Sequence, residues 1–375
     1  MIYLTYNDSP SGIYKSQVID VVNYFNSVQN SKSVKLVAII SLRSFFKNRK
    51  KIKQYLPKSL VLPMFPTVGL WKWNILTLFF ICLFSSHKKI MARGAFATYM
   101  ALRIKKMGFI KKVIFDARGA YAAELNEYNV VNDKSVVNKI KEIEKQVLLE
   151  SDFRLAVSNA LVNYWRKEYK YNSMNHVVIP CTLNSDFIFE FPSEQKIKEN
   201  KKELGYNEND IVIVYSGTSA GWQSFELVGD LLLGILETNA NVKLLMLTNN
   251  IDKNFKIFKE FSERIKTLWV KPDEVKKYLL GADYGILFRE NTITNRVASP
   301  VKFAEYLSGG LNIIISESIG DFSDFVEKNK CGTSQINNWK PEILNYSDRI
   351  KNHKLAKEYF QKSVYKNEYL KLLEL

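Results

Sequence analysis

The sequence predicts an α/β protein of two domains, each built around a parallel β-sheet. Short runs of apolar and β-branched residues recur along the chain, and segments with helical periodicity separate many of them. Strands that are buried on both faces give such continuous apolar runs. Strands that alternate with helices are typical of parallel sheets. The length of 375 residues allows two or three domains, and the strand patterns account for two sheets.

The predicted strands fall into two groups. In the first half they are Val34–Ile40, Leu60–Leu62, Lys89–Ala92, Val113–Phe115, Leu155–Val157 and Val177–Ile179. In the second half they are Ile211–Tyr215, Val242–Leu247, Thr267–Val270, Tyr284–Phe288 and Leu311–Ile315. Between two of the strands, Ser135–Glu150 is a predicted helix whose apolar residues fall mostly on one stripe.

The best domain boundary lies between Pro180 and about Gln195. This segment follows a predicted strand, contains a second proline at Pro192, and precedes the charged helix-like run Lys196–Leu204. We therefore predict an N-terminal domain over residues 1–183 and a C-terminal domain over residues 184–345. We predict that residues 346–375 form a C-terminal helix. Whether this helix packs on the N-terminal domain is left open.

Composition limits the class of protein. Apolar residues make up 46% and charged residues 25%, a globular balance that excludes disorder across the whole chain. The three cysteines lie far apart, which excludes a disulfide scaffold and a cysteine-based structural zinc site. Free thiols fit a reducing cytoplasm. The N-terminus lacks the basic and apolar regions of a cleaved signal peptide, so we expect none.

Positive charge is concentrated in the first half of the chain. Residues 1–175 hold 28 Lys and Arg and 11 Asp and Glu, a net charge of +17, whereas the remainder carries a net charge of −1. A basic half beside a neutral half indicates a polyanionic partner, which is nucleic acid, anionic lipid or a phosphate-rich ligand. The alternative is a basic surface that aids solubility.

Residues Leu70–Phe84 raise the question of membrane contact. Their strongly apolar part, Ile75–Phe84, has ten residues, whereas a spanning helix needs roughly 20. We predict a buried helix of the first domain. An interfacial helix is the alternative, and it is supported by Trp71, Trp73 and the nearby basic run Lys47–Lys53.

The segment Arg289–Ser316 is the strongest candidate for a binding site. We predict a helix with Ser299 as its N-cap and Pro300 as its first residue, ended by two glycines. The free amides and the dipole of its first turn suit a diphosphate, and Lys302 adds a positive charge there. One turn further on, Glu305 is placed to accept hydrogen bonds from ribose hydroxyls. The alternative is a well-capped structural helix with a surface Lys–Glu pair.

Other candidates follow predicted strands, where ligands of parallel α/β sheets bind. In the second domain, Arg289 is placed to bind a pyrophosphate through two hydrogen bonds, and the alternative is a surface pair with Glu290. Gly217 lets the backbone approach a ligand closely. In the first domain, Gly12 lies in a short turn between strand and helix that can face phosphate or sugar.

Three charged residues of the first domain also follow strands. Arg93 and Asp116 come directly after predicted strands, and Arg118 lies two residues beyond Asp116. We expect Asp116 to contact an acceptor hydroxyl or to act as a base. We expect Arg118 to steer an anionic acceptor or to pair with Glu124. The alternative is a structural pairing of these charges with one another.

Other chemistries fit the sequence poorly. His87, His176 and His353 lack metal-ligand spacing, and the chain contains neither a G-x-S-x-G motif nor a P-loop. Glycoside hydrolysis requires two opposed carboxylates, and the sequence nominates no such pair.

The pattern Ser299-Pro300-x-Lys302-x-x-Glu305-Tyr306-x-x-x-Gly310, followed by an apolar strand, resembles the donor-site helix of retaining glycosyltransferases with the GT-B fold. In that fold two Rossmann-like domains with parallel sheets face each other across a cleft. The resemblance is closest to the large bacterial family that includes capsule and O-antigen transferases, and it covers most of the chain. Three further segments resemble parts of that family. Val177–Pro180 resembles the strand that leads into the interdomain linker, and Ile213–Gly217 resembles the strand and glycine turn that open the second domain. Gly281–Leu287 resembles the strand that precedes the donor-site helix.

The resemblance implies that a sugar moves from a nucleotide-diphosphate sugar to a glycan, with retention of configuration and with no required metal or other cofactor. The charge of the first half favours a polyprenyl-diphosphate-linked acceptor at the inner face of the cell membrane. We therefore expect a cytoplasmic protein, with peripheral attachment to an anionic membrane as a hypothesis.

The resemblance and the strand-end positions together nominate the site residues. The expected catalytic residues are Asp116, Arg289 and Lys302. The expected donor-binding residues are Gly12, Gly217, Thr218, Arg289, Ser299, Pro300, Val301, Lys302 and Glu305. On the acceptor side we expect Arg93, Asp116 and Arg118.

The sequence departs from the family in two places. Many members carry a second Glu eight residues before the position of Glu305, and here that residue is Val297. Many members also carry Lys or Arg shortly after the first strand of the second domain, and residues 218–223 contain none. We then expect Arg289 and Lys302 to supply the positive charge that binds the phosphates. The identity of the donor sugar is left open.

Two alternative functions belong to other classes. A nucleotide-sugar epimerase of the same fold would isomerise the donor without transferring the sugar. A basic nucleic-acid-binding protein would fit the pI of about 9.4 and the many aromatic residues. The chain contains no recognised nucleic-acid motif, so we expect no nucleic-acid partner.

Overall fold

The structure is a computed structural model, and it describes residues 1–28, 33–67, 69–130, 133–217, 223–248, 256–336 and 339–375. The chain forms two compact units. The first contains Met1–Asn184 together with Lys362–Leu375, and the second contains Ser185–Gln361. Each unit is built on one parallel sheet, so the prediction of a two-sheet α/β protein is confirmed.

The first unit contains a sheet of seven parallel strands among its described residues. They are β1 (Ile2–Tyr6), β2 (Lys35–Ile40), β3 (Leu60–Pro63), β4 (Lys89–Arg93), β5 (Lys112–Asp116), β6 (Phe153–Ala156) and β7 (His176–Val178). Their order across the sheet is β3-β2-β1-β4-β5-β6-β7, so the winding reverses between β1 and β4. Ligands of doubly wound sheets bind at the carboxyl ends of the strands beside such a reversal.

Helices connect these strands and bury the sheet. Their bounds are Gly12–Tyr14, the π-helix Lys15–Ile19, Asp20–Val28, Phe45–Tyr55, the 3₁₀ turn Trp71–Trp73, Asn74–Leu83, Gly94–Lys106, Tyr121–Glu127, Lys134–Glu150, Asn159–Tyr169, the 3₁₀ turn Lys362–Tyr365 and Lys366–Glu374. One cluster of buried side chains joins Tyr3 and Phe25 to Tyr369 and Leu372. The end of the chain therefore completes the core of the first unit.

The second unit contains six parallel strands among its described residues. They are β8 (Ile211–Ser216), β9 (Val242–Leu247), β10 (Ile265–Leu268), β11 (Tyr284–Leu287), β12 (Asn312–Ile315) and β13 (Gly332–Thr333). Their order is β10-β9-β8-β11-β12-β13, which repeats the Rossmann order of the first sheet and reverses between β8 and β11. The ends of these two strands therefore mark the expected ligand position of this unit.

The described helices of the second unit lie between and after these strands. Their bounds are the 3₁₀ turn Ser185–Phe187, Glu194–Glu203, Phe225–Thr238, Lys256–Glu260, the 3₁₀ turn Ser262–Arg264, Val275–Leu280, Ile293–Arg296, Val301–Ser308, Phe322–Asn329 and Tyr346–Phe360. Buried residues such as Ile213, Leu232 and Leu244 form a core between the sheet and the helix Phe225–Thr238.

Two strands of the second sheet differ from the sequence prediction. β13 has two residues and no apolar run, so the pattern does not predict it. β10 begins two residues before the predicted run Thr267–Val270, because its backbone pairs with Leu244–Leu247 of β9 in that register. The bounds of this edge strand are set by backbone pairing with its neighbour. They cannot be predicted from its side chains, because a half-exposed strand has no continuous apolar run.

The C-terminal segment is divided between the two units. The helix Tyr346–Phe360 belongs to the second unit, where Arg349 donates hydrogen bonds to the Ala282 carbonyl at 2.7 Å and to Asp283 Oδ1 at 2.5 Å. The helix Lys366–Glu374 belongs to the first unit. The structural division at Gln361 therefore lies sixteen residues after the sequence boundary at residue 345, whereas the first division, at Asn184, lies beside the boundary at residue 183.

The helix predicted for residues 70–84 is buried on one side only. Asn74, Leu78 and Cys82 are buried, whereas Leu76 and Phe80 are more than half exposed. One side of the helix packs on the helix Gly94–Lys106, and the prediction of a buried helix holds for that side. It is wrong for the side that carries Leu76 and Phe80, because the first unit leaves that side exposed. No helix among the described residues has the length and apolar character that crossing a membrane requires.

Candidate functional site

The candidate site of the second unit lies where the winding of its sheet reverses. Gly217 directly follows β8, and Arg289 lies two residues after β11. The neighbouring helix Val301–Ser308 begins at the same edge, and it is anchored there by Tyr306. The Tyr306 hydroxyl accepts a hydrogen bond from the Ser216 backbone N–H at 3.0 Å. The sheet and the helix thus bring three predicted site residues, Gly217, Arg289 and Lys302, to one place.

Arg289 is buried at the end of β11. Its backbone N–H donates to Ser316 Oγ at 2.9 Å, which ties it to the end of β12. Its guanidinium donates to the side-chain amide oxygens of Asn295 and Gln223, both at 3.4 Å. Both acceptors are neutral amide oxygens, and they orient the guanidinium.

Lys302 lies in the first turn of the helix Val301–Ser308. Its ammonium is 3.2 Å from Gln223 Oε1 and 5.3 Å from the centre of the Tyr215 ring. A Cβ at Gly217 would lie 2.0 Å from the Lys302 Nζ, so the absence of a side chain at residue 217 makes room for the lysine. Burial, together with the charge of Arg289, lowers the pKa of Lys302 to about 7. A bound anion would stabilise the charged form here.

Glu305 lies one turn further along the same helix and is partly buried. Burial raises the pKa of its carboxyl to about 7, and the nearby charge of Lys302 opposes that shift. Among the described residues, none donates a hydrogen bond to the Glu305 carboxylate or forms an ion pair with it within 4.0 Å. Its oxygens are therefore available to hydroxyl donors of a ligand.

The start of this helix differs from the prediction by one residue. Pro300 is the N-cap, with an extended backbone (φ −64°, ψ 124°), and Val301 is the first helical residue. The predicted N-cap Ser299 is buried and lies outside the helix. The helix starts one residue later because the ψ of Pro300 is extended, which is the conformation of a cap residue and not of a first helical residue. The first helical bond runs from the Phe303 N–H to the Pro300 carbonyl at 3.1 Å, so the amides of Val301 and Lys302 precede it.

One predicted donor residue, Thr218, lies outside the described residues, as does the rest of the loop up to residue 222. Gly12 belongs to the first unit, where it begins a one-turn helix that Ser11 caps through the Tyr14 N–H at 3.3 Å. Gly12 is exposed.

In the first unit, the predicted acceptor-side residues form a buried ion cluster. Asp116 is fully buried. Its carboxylate is 2.8 Å from Arg118 Nε and 3.8 Å from Arg93 Nη1, and it accepts hydrogen bonds from Arg118 Nη2 at 3.0 Å and from the Tyr3 hydroxyl. Asp116 therefore holds the two arginines in position, and the expectation that it contacts an acceptor or acts as a base does not fit its burial.

The two arginines of this cluster line a cavity of about 310 Å³ at the ends of β1, β4 and β5. Arg93 also lies 3.5 Å from Asp8, and Glu124 lines the same cavity. Burial raises the pKa values of the Asp8 and Glu124 carboxyls. The cavity thus combines two guanidiniums with three carboxyl groups, because Glu144 lines it as well.

Sequence reasoning missed several side chains that shape the two sites. Gln223 Oε1 accepts hydrogen bonds from both Arg289 and Lys302. In the first unit, Arg118 Nη1 donates to Gln17 Oε1 at 3.5 Å, and Gln17 is presented by the π-helix Lys15–Ile19. Neutral amides carry no spacing signal in a sequence, so the pattern contains nothing that could have found these two glutamines. Among the described residues, no three His, Cys, Asp or Glu side chains cluster in a way that could hold a metal ion.

Comparison with known proteins places the fold. No model of a known protein family matches the chain, and no curated protein does. Among solved structures, a glycosyltransferase from Rickettsia africae is 15% identical, with a TM-score of 0.71 over 99% of this chain and 98% of that one. Anabaena Alr3699/HepE, in complex with UDP and glucose, is 13% identical, with a TM-score of 0.70 over 100% of this chain and 99% of that one.

The same comparison includes an enzyme with a different reaction. UDP-GlcNAc 2-epimerase from Neisseria meningitidis, bound to UDP-GlcNAc, is 13% identical, with a TM-score of 0.59 over 100% of both chains. At these identities the likeness shows the fold. The chain has the GT-B fold, with two Rossmann-like domains on parallel sheets of seven and six described strands.

Proposed function

We propose that this protein is a glycosyltransferase that takes its sugar from a nucleotide-diphosphate sugar. The observation that carries the proposal is the convergence of Arg289, Lys302 and the amide end of the helix Val301–Ser308 beside Gly217. A diphosphate matches this arrangement, because helix amides and cations both stabilise phosphate oxygens. The fold is shared with HepE, which was solved with UDP and glucose, and this supports a nucleotide sugar as the donor.

In this proposal, the cations act on the leaving group. The bond between the anomeric carbon and the diphosphate oxygen breaks, and negative charge develops on the diphosphate. Arg289 and Lys302 stabilise that charge electrostatically, without a metal ion or another cofactor. Glu305 accepts hydrogen bonds from the ribose hydroxyls of the donor, because its carboxylate has no partner among the described residues.

We further propose retention of configuration through attack on the same face from which the diphosphate leaves. The acceptor oxygen then bonds to the anomeric carbon, and its proton passes to an oxygen of the leaving phosphate. Such a step needs no protein base, which agrees with the buried, paired state of Asp116. Asp116 is then a positioning residue for Arg93 and Arg118.

The cavity beside Arg93 and Arg118 is the proposed acceptor site. Two guanidiniums suit an anionic group such as the diphosphate of a polyprenyl-linked glycan. The carboxyl groups of Asp8 and Glu124 suit its sugar hydroxyls. The glycan would then belong to a bacterial surface polysaccharide.

The thermal stability of the protein with a panel of nucleotide sugars tests the donor site. We expect one of them to raise the unfolding temperature, because it binds the native state. Lys302→Ala and Glu305→Ala should abolish this shift. The matched controls are Lys196→Ala and Glu199→Ala, an exposed pair 3.1 Å apart in the same unit, which should keep it. No shift with any nucleotide sugar, or equal loss in the controls, would contradict the proposal.

The second candidate is a nucleotide-sugar epimerase, and the shared fold of the Neisseria enzyme favours it. The two reactions differ in their products. A transferase gives a labelled glycolipid and free nucleoside diphosphate when a lipid-linked acceptor is added. An epimerase converts the donor to its isomer with no acceptor present.

A further inference from the structure

The first unit contains a long stretch with no acidic residue. From Val21 to Phe115 the sequence has 18 Lys and Arg residues and no Asp or Glu. Among the described residues, four of these cations pair with carboxylates from outside the stretch: Arg93, Lys105, Lys106 and Lys112. The positive potential of this part of the first unit therefore comes from the remaining cations.

Large apolar side chains are exposed at one edge of the first sheet. β2 and β3 are neighbours in the sheet, and the carboxyl ends of parallel strands lie at the same edge. In the segments that follow these two strands, five apolar side chains are each more than half exposed: Leu42, Phe46, Phe65, Leu70 and Trp73. We call these five residues the apolar rim. Exposed apolar side chains in such a group mark an interaction surface.

The helix Asn74–Leu83 extends the rim as an exposed stripe. Leu76, Phe80 and Phe84 lie on successive turns after Trp73, and each is more than half exposed. The opposite side of the helix is buried in the first unit. A helix at an aqueous surface normally presents polar residues to solvent, so this stripe is suited to an apolar environment.

Cations accompany the apolar rim. Arg43, Lys47 and Lys72 are exposed within or beside it, and Lys47 begins the basic face of the helix Phe45–Tyr55. Arg43 and Lys47 also line a shallow cavity that contains Asp8. Because Asp8 also lines the cavity beside Arg93, the rim adjoins the proposed acceptor site.

We propose that the apolar rim and the stripe of the helix Asn74–Leu83 bind the surface of an anionic lipid bilayer. A bilayer surface offers lipid phosphates to the exposed cations and an acyl boundary to Phe and Trp side chains. A second copy of the chain fits this face poorly, because two such faces would bring like charges together. The inference goes beyond the proposed reaction, since it does not depend on what the second unit binds.

Co-sedimentation of the full-length protein with vesicles tests this proposal. The vesicles contain either phosphatidylcholine alone or phosphatidylcholine with about a third of phosphatidylglycerol. We expect binding to the anionic vesicles that is at least about tenfold stronger than to neutral ones and that weakens as salt is raised. Equal binding to both kinds of vesicle, or no binding to either, would overturn the proposal.

Variants locate the surface. The triple variant Phe46→Ser, Phe65→Ser and Phe80→Ser removes exposed apolar side chains, and we expect it to lose at least about tenfold in vesicle binding. Trp269→Ser is the matched control, because Trp269 is equally exposed but belongs to the second unit. Vesicle binding that the triple variant retains would overturn the assignment.

Two further measurements distinguish lost lipid contact from misfolding and from self-association. The triple variant should keep the unfolding temperature and the circular dichroism spectrum of the unmodified protein, which shows that the fold is intact. Analytical ultracentrifugation without lipid should give the same mass for the triple variant and the unmodified protein. An oligomer that the triple variant loses would identify the face as a contact between copies and would overturn the proposal.

Discussion

Lys302 and Glu305 lie one turn apart, and the pKa values of both are displaced toward neutrality. Burial and the charge of Arg289 lower the pKa of the Lys302 ammonium to about 7. Burial raises the pKa of the Glu305 carboxyl to about 7. In the free protein, both groups therefore titrate near neutral pH. A ligand that requires a charged lysine and an ionised carboxylate must then bind in a pH-dependent way.

We expect the affinity for a nucleotide sugar to be highest near pH 7. Above this pH the free protein loses the Lys302 proton, which the bound diphosphate requires, so the affinity falls by up to about tenfold per pH unit. Below it, Glu305 takes up a proton and accepts hydrogen bonds from ribose less well, so the affinity falls again. The two phosphates of a nucleotide sugar stay ionised across this range. Calorimetric titration at several pH values measures the profile.

Two variants assign the limbs of this profile. Lys302→Arg stays charged at high pH, so it should flatten the alkaline limb. Glu305→Gln cannot titrate, so it should flatten the acid limb. A pH-independent affinity in the unmodified protein would contradict the assignment of Lys302 and Glu305 to the donor site.

The sequence nominates charged residues of both units by the same reasoning, and the structure places them in different surroundings. Arg289 and Lys302 can be nominated because a strand end and a helix start have recognisable patterns. Asp116 is nominated by the same reasoning, yet the fold buries it against Arg93 and Arg118. Which strand-end charges face a cavity and which pair with one another depends on the packing between strands, and the sequence pattern does not contain that information.

At the scale of elements, the packing of β8 against the helix Val301–Ser308 depends on residue 217. We expect Gly217→Ala to lower the affinity for a nucleotide sugar by about 10- to 100-fold, the equivalent of one charged hydrogen bond. The new Cβ would lie 2.0 Å from the Lys302 Nζ, and the flexible end of the lysine would have to move away. The free energy of unfolding should change little, because the lysine side chain can move. Calorimetry and urea denaturation measure the two quantities.

Gly234→Ala is the control for this substitution. Gly234 is an exposed glycine of the helix Phe225–Thr238, and a Cβ there would meet no atom within 4 Å. It should keep the ligand affinity and stabilise the protein by about 0.5–1 kcal/mol, as alanine does in helices. If Gly217→Ala binds as well as the control does, then the position of Lys302 is not important for binding.

Element types could be predicted from the sequence, but their ends and their exposed faces could not. The apolar runs predict most strands of both sheets, because buried parallel strands must be apolar, but β1 and β13 are not among the predicted runs. The helix start moves from Pro300 to Val301 because the backbone of Pro300 is extended. The helix Asn74–Leu83 is apolar on all sides, so its sequence does not tell which side the domain covers and which side is left for a partner.

At the scale of the whole molecule, the chain returns to its first unit after completing the second. The sequence shows a C-terminal helical segment but does not show where it docks, because one amphipathic pattern fits many surfaces. In the structure, Tyr369 is buried among residues of the first unit, with ring centres 5.2 Å from Phe25 and 5.1 Å from Tyr24. Long-range packing of this kind makes the stability of the first unit depend on the last residues of the chain.

We expect Tyr369→Ala to destabilise the first unit by about 3–5 kcal/mol, the usual cost of removing a buried aromatic side chain. Differential scanning calorimetry measures this as a lower midpoint of one transition, by about 10 °C for a unit of this size. Glu374→Ala, an exposed position in the same helix, should change the stability by less than about 0.5 kcal/mol. A bound nucleotide sugar should raise the other transition, which belongs to the second unit. If one transition responds to both the substitution and the ligand, then the two units unfold together. That result would contradict the expectation that each unit unfolds in its own transition.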